Sequence, residues 1–133
     1  MDALKEWGMY YLDMYRPVHE NDAVMFDIDD TLIRASDGLV ILPMLDVLLY
    51  AKSHGYRVII ITARPRLQEV IDYTVEQLGE FGIPYDDLGF CNPEDKGRLK
   101  MKLGYNFILS VGDMPTDLTH TRHALHTVTY EHF

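Results

Sequence analysis

Apolar residues fall along this chain in two rhythms, one helical and one of short unbroken runs. Between residues 2 and 15, Leu4, Trp7, Tyr11, Leu12 and Tyr15 recur at helical spacing around Gly8. That predicts an amphipathic helix ending before Arg16-Pro17. Ala23-Val24-Met25-Phe26 is an apolar run between polar residues and predicts a buried strand. Ser36-Asp37-Gly38 marks a small hairpin. Pro43 to His54 fits a helix, with Pro43 in its first turn and Gly55 just beyond its end. Arg57 to Ile61 is a β-branched strand. Pro65 to Phe81 predicts a helix with Leu67, Val70, Ile71, Val75 and Leu78 in period, closed by Gly82. Leu88 to Cys91 is a third strand, Pro93 to Leu103 a helix stopped by Gly104, and Phe107 to Val111 a fourth strand. Thr116 to Leu125 is expected to be helical and Thr127 to Tyr130 a fifth strand.

Strands alternating with helices predict an α/β fold, a Rossmann-like three-layer αβα sandwich with a five-stranded parallel sheet. The length of 133 residues fits one domain. Residues 1–20 form an N-terminal helix and linker in this reading, and residues 21–133 the catalytic core. A single cysteine, Cys91, excludes a disulfide framework and a cysteine-based zinc cluster. No apolar stretch approaches the ~18 residues that span a bilayer, and the first residues do not form a secretory signal. A cytoplasmic protein without membrane association is therefore the expectation. The net charge of −9 argues weakly against general nucleic-acid binding.

In parallel sheets ligands bind beyond the carboxyl ends of the strands, so those positions decide the chemistry. Asp27-Ile28-Asp29-Asp30-Thr31 follows the first predicted strand, Thr62 the second, and Gly112-Asp113 with Asp117 the fourth; Lys96 lies near the turn after the third. So many carboxylates in one crevice repel each other, and a bound hard cation such as Mg²⁺ resolves the conflict. Beside it, a lysine and a threonine hydroxyl suit a phosphoryl group. A carboxylate can then attack phosphorus to form an aspartyl-phosphate. A second acid two residues on can protonate the leaving oxygen and then activate water. Taken singly, each element has a plain structural reading: a capped turn, a solvated lysine, a Gly-Asp turn. Their order, each at a strand end, is what favours chemistry.

These residues resemble the motifs of the haloacid dehalogenase-like phosphohydrolase superfamily. Val24-Met25-Phe26-Asp27-Ile28-Asp29-Asp30-Thr31-Leu32 looks like its first motif and Val58-Ile59-Ile60-Ile61-Thr62 its second. Lys96 is the candidate third, with Lys100 and Lys102 as competitors, and Val111-Gly112-Asp113 with Asp117 looks like the fourth. The resemblance runs from Ala23 onward. It implies Asp27 as nucleophile and Mg²⁺ ligand, and Asp29 as general acid/base with its backbone carbonyl a further ligand. It implies Asp113 as a direct ligand and Asp117 as support for the metal or the lysine. Thr62 and Lys96 would hold and neutralise the phosphoryl oxygens, and Thr31 would brace the nucleophile's loop. Asp30 stands where many members have glycine.

Within that family the short intervals Leu32–Arg57 and Thr62–Lys96 leave no room for a cap domain. Thr62-Ala63-Arg64-Pro65 and Gly104-Tyr105 look closest to a capless acid-phosphatase-like branch. The layout also resembles the 3′-phosphatase domain of polynucleotide kinases. Capless members have open sites for large phosphorylated substrates or borrow a lid from a partner chain; a homo-oligomer is one expected partnership, with the first-helix aromatics as its candidate contact. Arg34, Arg64, Arg66, Lys96, Arg98, Lys100 and Lys102 lie close to the motif loops. They predict a locally basic rim and leave a nucleic-acid substrate undecided. A phospho-ligand-binding domain without catalysis is the third possibility. His120, His123 and His126 are expected on a solvated helix face, and the aromatics of the first helix in the core or at an interface.

Overall fold

The computed structural model describes residues 1–127. The helices are α1 (Asp2–Asp13), α2 (Leu42–Ser53), α3 (Gln68–Glu80) and α4 (Lys96–Leu103). The strands are β1 (Asp22–Phe26), β2 (Arg57–Thr62), β3 (Asp87–Phe90), β4 (Asn106–Gly112) and β5 (His123–His126). All pair in parallel, in the order β3-β2-β1-β4-β5. Helices cover both faces, giving the expected three-layer sandwich.

Side chains alternate across the sheet as the pleat demands. Val24, Phe26, Val58, Ile60 and Val111 enter the larger core with residues of α1, α2 and α3; Ala23, Met25, Ile59, Ile61 and Phe107 face α4 through Leu99 and Leu103. The alternation breaks once. Ala23 pairs with Phe107 but Val24 pairs with Leu109, so Ile108 is an extra residue in β4. The bulge turns both Ile108 and Leu109 into the larger core.

The first helix docks on the sheet. Gly8 is buried there, and a Cβ on it would meet Val47 and Leu125 at 3.0 Å. Tyr11 stacks on His123, with ring centroids 4.4 Å apart, and the Tyr15 hydroxyl lies 2.8 Å from His123 Nε2. Trp7 and Tyr10 point outward, 54% and 57% exposed.

Most predicted elements are present with ends shifted by a residue or two. The hairpin closes through a bridge between Ile33 and Val40, with Gly38 at φ 70°. The helix expected from Pro65 begins at Gln68, because Leu67 at its N-cap is still extended. The helix expected over 116–125 is replaced by one 3₁₀ turn, Pro115–Asp117, and then by β5. Burying Leu125 against β4 in a parallel ladder outweighs local helix preference there. The histidines therefore share no helix face: His123 and His126 lie on β5 and His120 in the loop before it. The strand expected at Thr127–Tyr130 lies, after Thr127, outside the described residues.

Candidate active site

Chain direction in the sheet places the site. From β1 the chain steps outward through β2 to β3, then returns to place β4 on the other side of β1. Crevices form at such reversals, outside the carboxyl ends of the strands. Asp27 follows β1 and Asp113 follows β4, and the two ends are tied by the Asp27 amide donating to Val111 O at 3.0 Å.

Asp27, Asp113 and Asp117 each bring a carboxylate oxygen within 4.8 Å of the others. Asp117 is fully buried and Asp27 nearly so. Lys96, only 2% exposed, donates to Asp27 Oδ1 at 3.0 Å and to Asp117 Oδ1 at 2.5 Å. The Met114 amide donates to the other Asp117 oxygen at 3.1 Å. Gly112 makes this packing possible, since a Cβ there would overlap the Asp117 side chain.

Three carboxylates against one ammonium leave an excess of negative charge. Burial pushes the Asp27 carboxyl up to about 7 against the pull of Lys96, with Asp117 and Asp113 adding to the rise. Burial acts against the Lys96 ammonium, yet Asp27 and Asp117 hold it above the ordinary lysine value. An all-oxygen donor set with uncompensated charge fits a hard divalent cation such as Mg²⁺.

The other expected residues divide into those that join this cluster and those that do not. The Asp29 carboxylate is outside the trio, gripped by Arg64 through Nε to Oδ2 at 3.1 Å and Nη2 to Oδ1 at 2.9 Å. Arg64 Nη1 in turn donates to Thr74 Oγ1 on α3 at 3.0 Å. Thr62 ends β2 fully buried, and its hydroxyl oxygen accepts the Arg64 amide at 3.1 Å, leaving its own proton to donate. Thr31 is fully buried, with Oγ1 3.2 Å from Thr127 Oγ1, and Thr127 also donates to Asp30 O at 3.2 Å. Asp30 itself adopts φ 59°, a backbone conformation that favours glycine, and its carboxylate accepts the Ala35 amide at 3.0 Å.

The geometry separates the competing lysines. Lys96 faces the carboxylates, whereas Lys100 Nζ points one turn away to Ser110 Oγ and two backbone carbonyls. Burial pushes the Lys100 ammonium down to about 8, with Asp117 pulling the other way. Lys102 is exposed.

The basic rim is thinner than the sequence suggests. Lys96 and Lys100 are buried, Arg64 is held by Asp29, Arg34 pairs with Asp37 at 2.8 Å and Arg98 with Asp95 at 3.4 Å. Of that set, Arg66 and Lys102 alone lack a buried position or an ion pair among the described residues. Two cavities flank the site. One of about 800 Å³ runs beside Asp113, Asp30 and Arg34; the other, about 320 Å³, lies past Ala63 between Arg64, Arg66, Phe90 and Asn92. The Asp29–Arg64 fork was not foreseen; its sequence signal was an arginine two residues past the threonine at a strand end.

No protein-family model matches the chain, and no curated protein sequence matches it. Solved structures do resemble it. One is a chain in the Pnkp1/Rnl/Hen1 complex, 26% identical with a TM-score of 0.59, covering 72% of this chain and 40% of that one. Another is a chain in the Pnkp1/Rnl/Hen1 RNA repair complex, 25% identical with a TM-score of 0.57, covering 72% of this chain and 37% of that one. The chain thus spans less than half the length of these relatives. Among the described residues, no helix is long and apolar enough to cross a membrane.

Proposed function

We propose that this chain is a Mg²⁺-dependent phosphomonoester hydrolase of the haloacid dehalogenase-like superfamily, acting through an aspartyl-phosphate in an open, capless site. The observation that carries this reading is the Lys96 ammonium seated between Asp27 and Asp117, with Asp113 completing the acidic trio. Asp27, Asp113 and Asp117 would hold the Mg²⁺, which supplies charge compensation for carboxylate and phosphoryl oxygens when bound.

In this scheme an Asp27 carboxylate oxygen attacks phosphorus, and the bond to the ester oxygen breaks as Asp29 gives that oxygen a proton. Asp29, now ionised, takes a proton from water as the water oxygen attacks phosphorus. That step releases inorganic phosphate and restores both carboxyl groups. Thr62 donates a hydroxyl hydrogen bond to a phosphoryl oxygen, and Lys96 offsets the charge that develops there. For the first transfer Asp29 enters protonated, its acidic oxygen turned from Arg64 to the leaving oxygen while the other oxygen keeps its Arg64 bond. Once ionised, it accepts from both Arg64 donors again.

Phosphate release from an aryl phosphate, measured with Mg²⁺ and with chelator, tests the reading. Activity that depends on the metal and is lost in Asp27→Asn is expected. Metal-independent turnover or full activity of Asp27→Asn would overturn it.

A second reading narrows the substrate to a polynucleotide end carrying a 3′-phosphate. It is supported by the likeness to chains of an RNA repair complex and by the cavity that starts one residue past Thr62. There Arg66 has no ion pair among the described residues, and half-buried Phe90 offers an aromatic surface of the kind on which bases stack. A 3′-phosphorylated oligonucleotide should then be hydrolysed with a lower KM than a small ester, and Arg66→Ala should raise that KM alone. Equal KM values would remove this second reading and leave the first.

A further inference from the structure

Lys100 is a buried cation for which the proposed chemistry has no use. It is 1% exposed, yet it makes no ion pair among the described residues. Its Nζ donates to Ser110 Oγ at 2.9 Å, Asp117 O at 2.7 Å and Thr119 O at 2.7 Å. All three ammonium donors are spent on neutral oxygens. An ammonium without an ion pair is expensive to bury; beyond the three oxygens, its Nζ lies over the Phe107 ring, 5.8 Å from the centroid.

What those oxygens share is the segment after β4. Ser110 lies on β4, while Asp117 and Thr119 lie in the irregular loop where one 3₁₀ turn is the only regular structure before β5. That loop carries Asp113 and Asp117. Lys96 and Lys100 are one turn apart on α4 and so project from one face. The first holds the carboxylate of Asp117 and the second holds its backbone carbonyl. Asp117 is thus gripped at both ends by one helix, and its other carboxylate oxygen is fixed by the Met114 amide.

We propose that Lys100 is a positioning residue for the divalent cation, its ammonium fixing the 113–119 loop so that Asp113 and Asp117 stand at the right separation from Asp27. This rests on the reading that the trio holds Mg²⁺. A merely structural lysine would contribute stability alone; a positioning lysine also sets metal affinity.

Calorimetric titration of the full chain with MgCl₂ separates the two. Lys100→Met should weaken Mg²⁺ binding about 10–100-fold, the range seen when partners of metal ligands are removed. Ser110→Ala, which removes one anchor and no charge, should weaken it less but in the same direction. Ile108→Val, a core trim on the same strand, should lower thermal stability and leave the Kd unchanged. A folded Lys100→Met with wild-type affinity overturns the inference. Should Lys100→Met fail to fold, wild-type affinity in Ser110→Ala overturns it instead. A wild-type chain that takes up no Mg²⁺ overturns the metal reading and this inference with it, whereas binding that ignores Lys100 overturns this inference alone.

Discussion

Arg64 grips both carboxylate oxygens of Asp29, at 3.1 and 2.9 Å, across 35 residues of sequence. The fork fixes the plane of the acid assigned to both proton transfers, and Thr74 fixes the fork. Removing the acid should therefore hurt most where the leaving oxygen needs a proton. Asp29→Asn is expected to lower kcat on an alkyl phosphate by about 100-fold or more. Arg64→Ala, which leaves the acid present but unaimed, should lower it by about tenfold. Both losses should shrink on an aryl phosphate whose leaving group needs no acid, and steady-state kinetics on the two esters checks this. Equal losses on both would count against Asp29 as the acid.

Lys96 offers a stability prediction. Lys96→Met leaves Asp27 and Asp117 buried without their cation, a change that costs about 3–5 kcal/mol when a buried pair is broken. Denaturant melts in chelator should show that loss. Adding Asp27→Asn to Lys96→Met should recover part of it, because one of the stranded charges is gone.

Two glycines make a controlled comparison. Gly112→Ala drives a Cβ into the Asp117 side chain, while Gly97→Ala meets the exposed His120 ring and the Thr119 side chain. His120 can rotate away; Asp117, held by Lys96 and Met114, cannot. On the proposed reading, Gly112→Ala should abolish Mg²⁺ uptake and phosphate release, and Gly97→Ala should retain both. Calorimetry and phosphate release read the difference.

Acid sensitivity should be traceable to Asp86. Burial alone would raise its carboxyl, but the Val58 amide at 2.7 Å and Lys52 at 3.2 Å hold it below the ordinary value. A carboxyl depressed in the fold binds fewer protons there than in the unfolded chain. Its stabilisation is therefore complete above the ordinary aspartate value of 3.8 and is lost as pH falls through the lower folded value. Asp86→Ala should cost about 1–3 kcal/mol near neutrality by leaving the Val58 amide unpaired. It should also flatten the acid limb of stability against pH, measured by urea melts from neutral pH downward.

The legible part of this molecule is the part where one physical effect dominates. Val58-Ile59-Ile60-Ile61 is apolar and β-branched on both faces, so it reads as a central strand without any knowledge of its partners. The acids after β1 and β4 read as a site because strand ends in such sheets converge. Thr116 to Leu125 misleads because the deciding contacts are remote. Lys100 takes the Asp117 and Thr119 carbonyls that a helix would have used, and β4 recruits Leu125 into the core. The basic rim misleads for a similar reason: charges adjacent in sequence to the motifs are consumed by partners that only the fold reveals, Asp37 for Arg34 and Asp29 for Arg64.

The central place of β1 also bears on how the chain reaches this state. Its neighbours are β2 and β4, and the side chains of Asp22 and Asn106, bonded at 2.8 Å, are 84 residues apart. Such pairing brings a large loop-closure penalty before any contact rewards it, and sheets of this topology fold slowly for that reason. Asp27 comes into the acidic trio only after β4 has found β1, because Asp113 and Asp117 travel with β4. Metal uptake would thus mark a late event in folding, and its rate after dilution from denaturant would time the closure of the sheet.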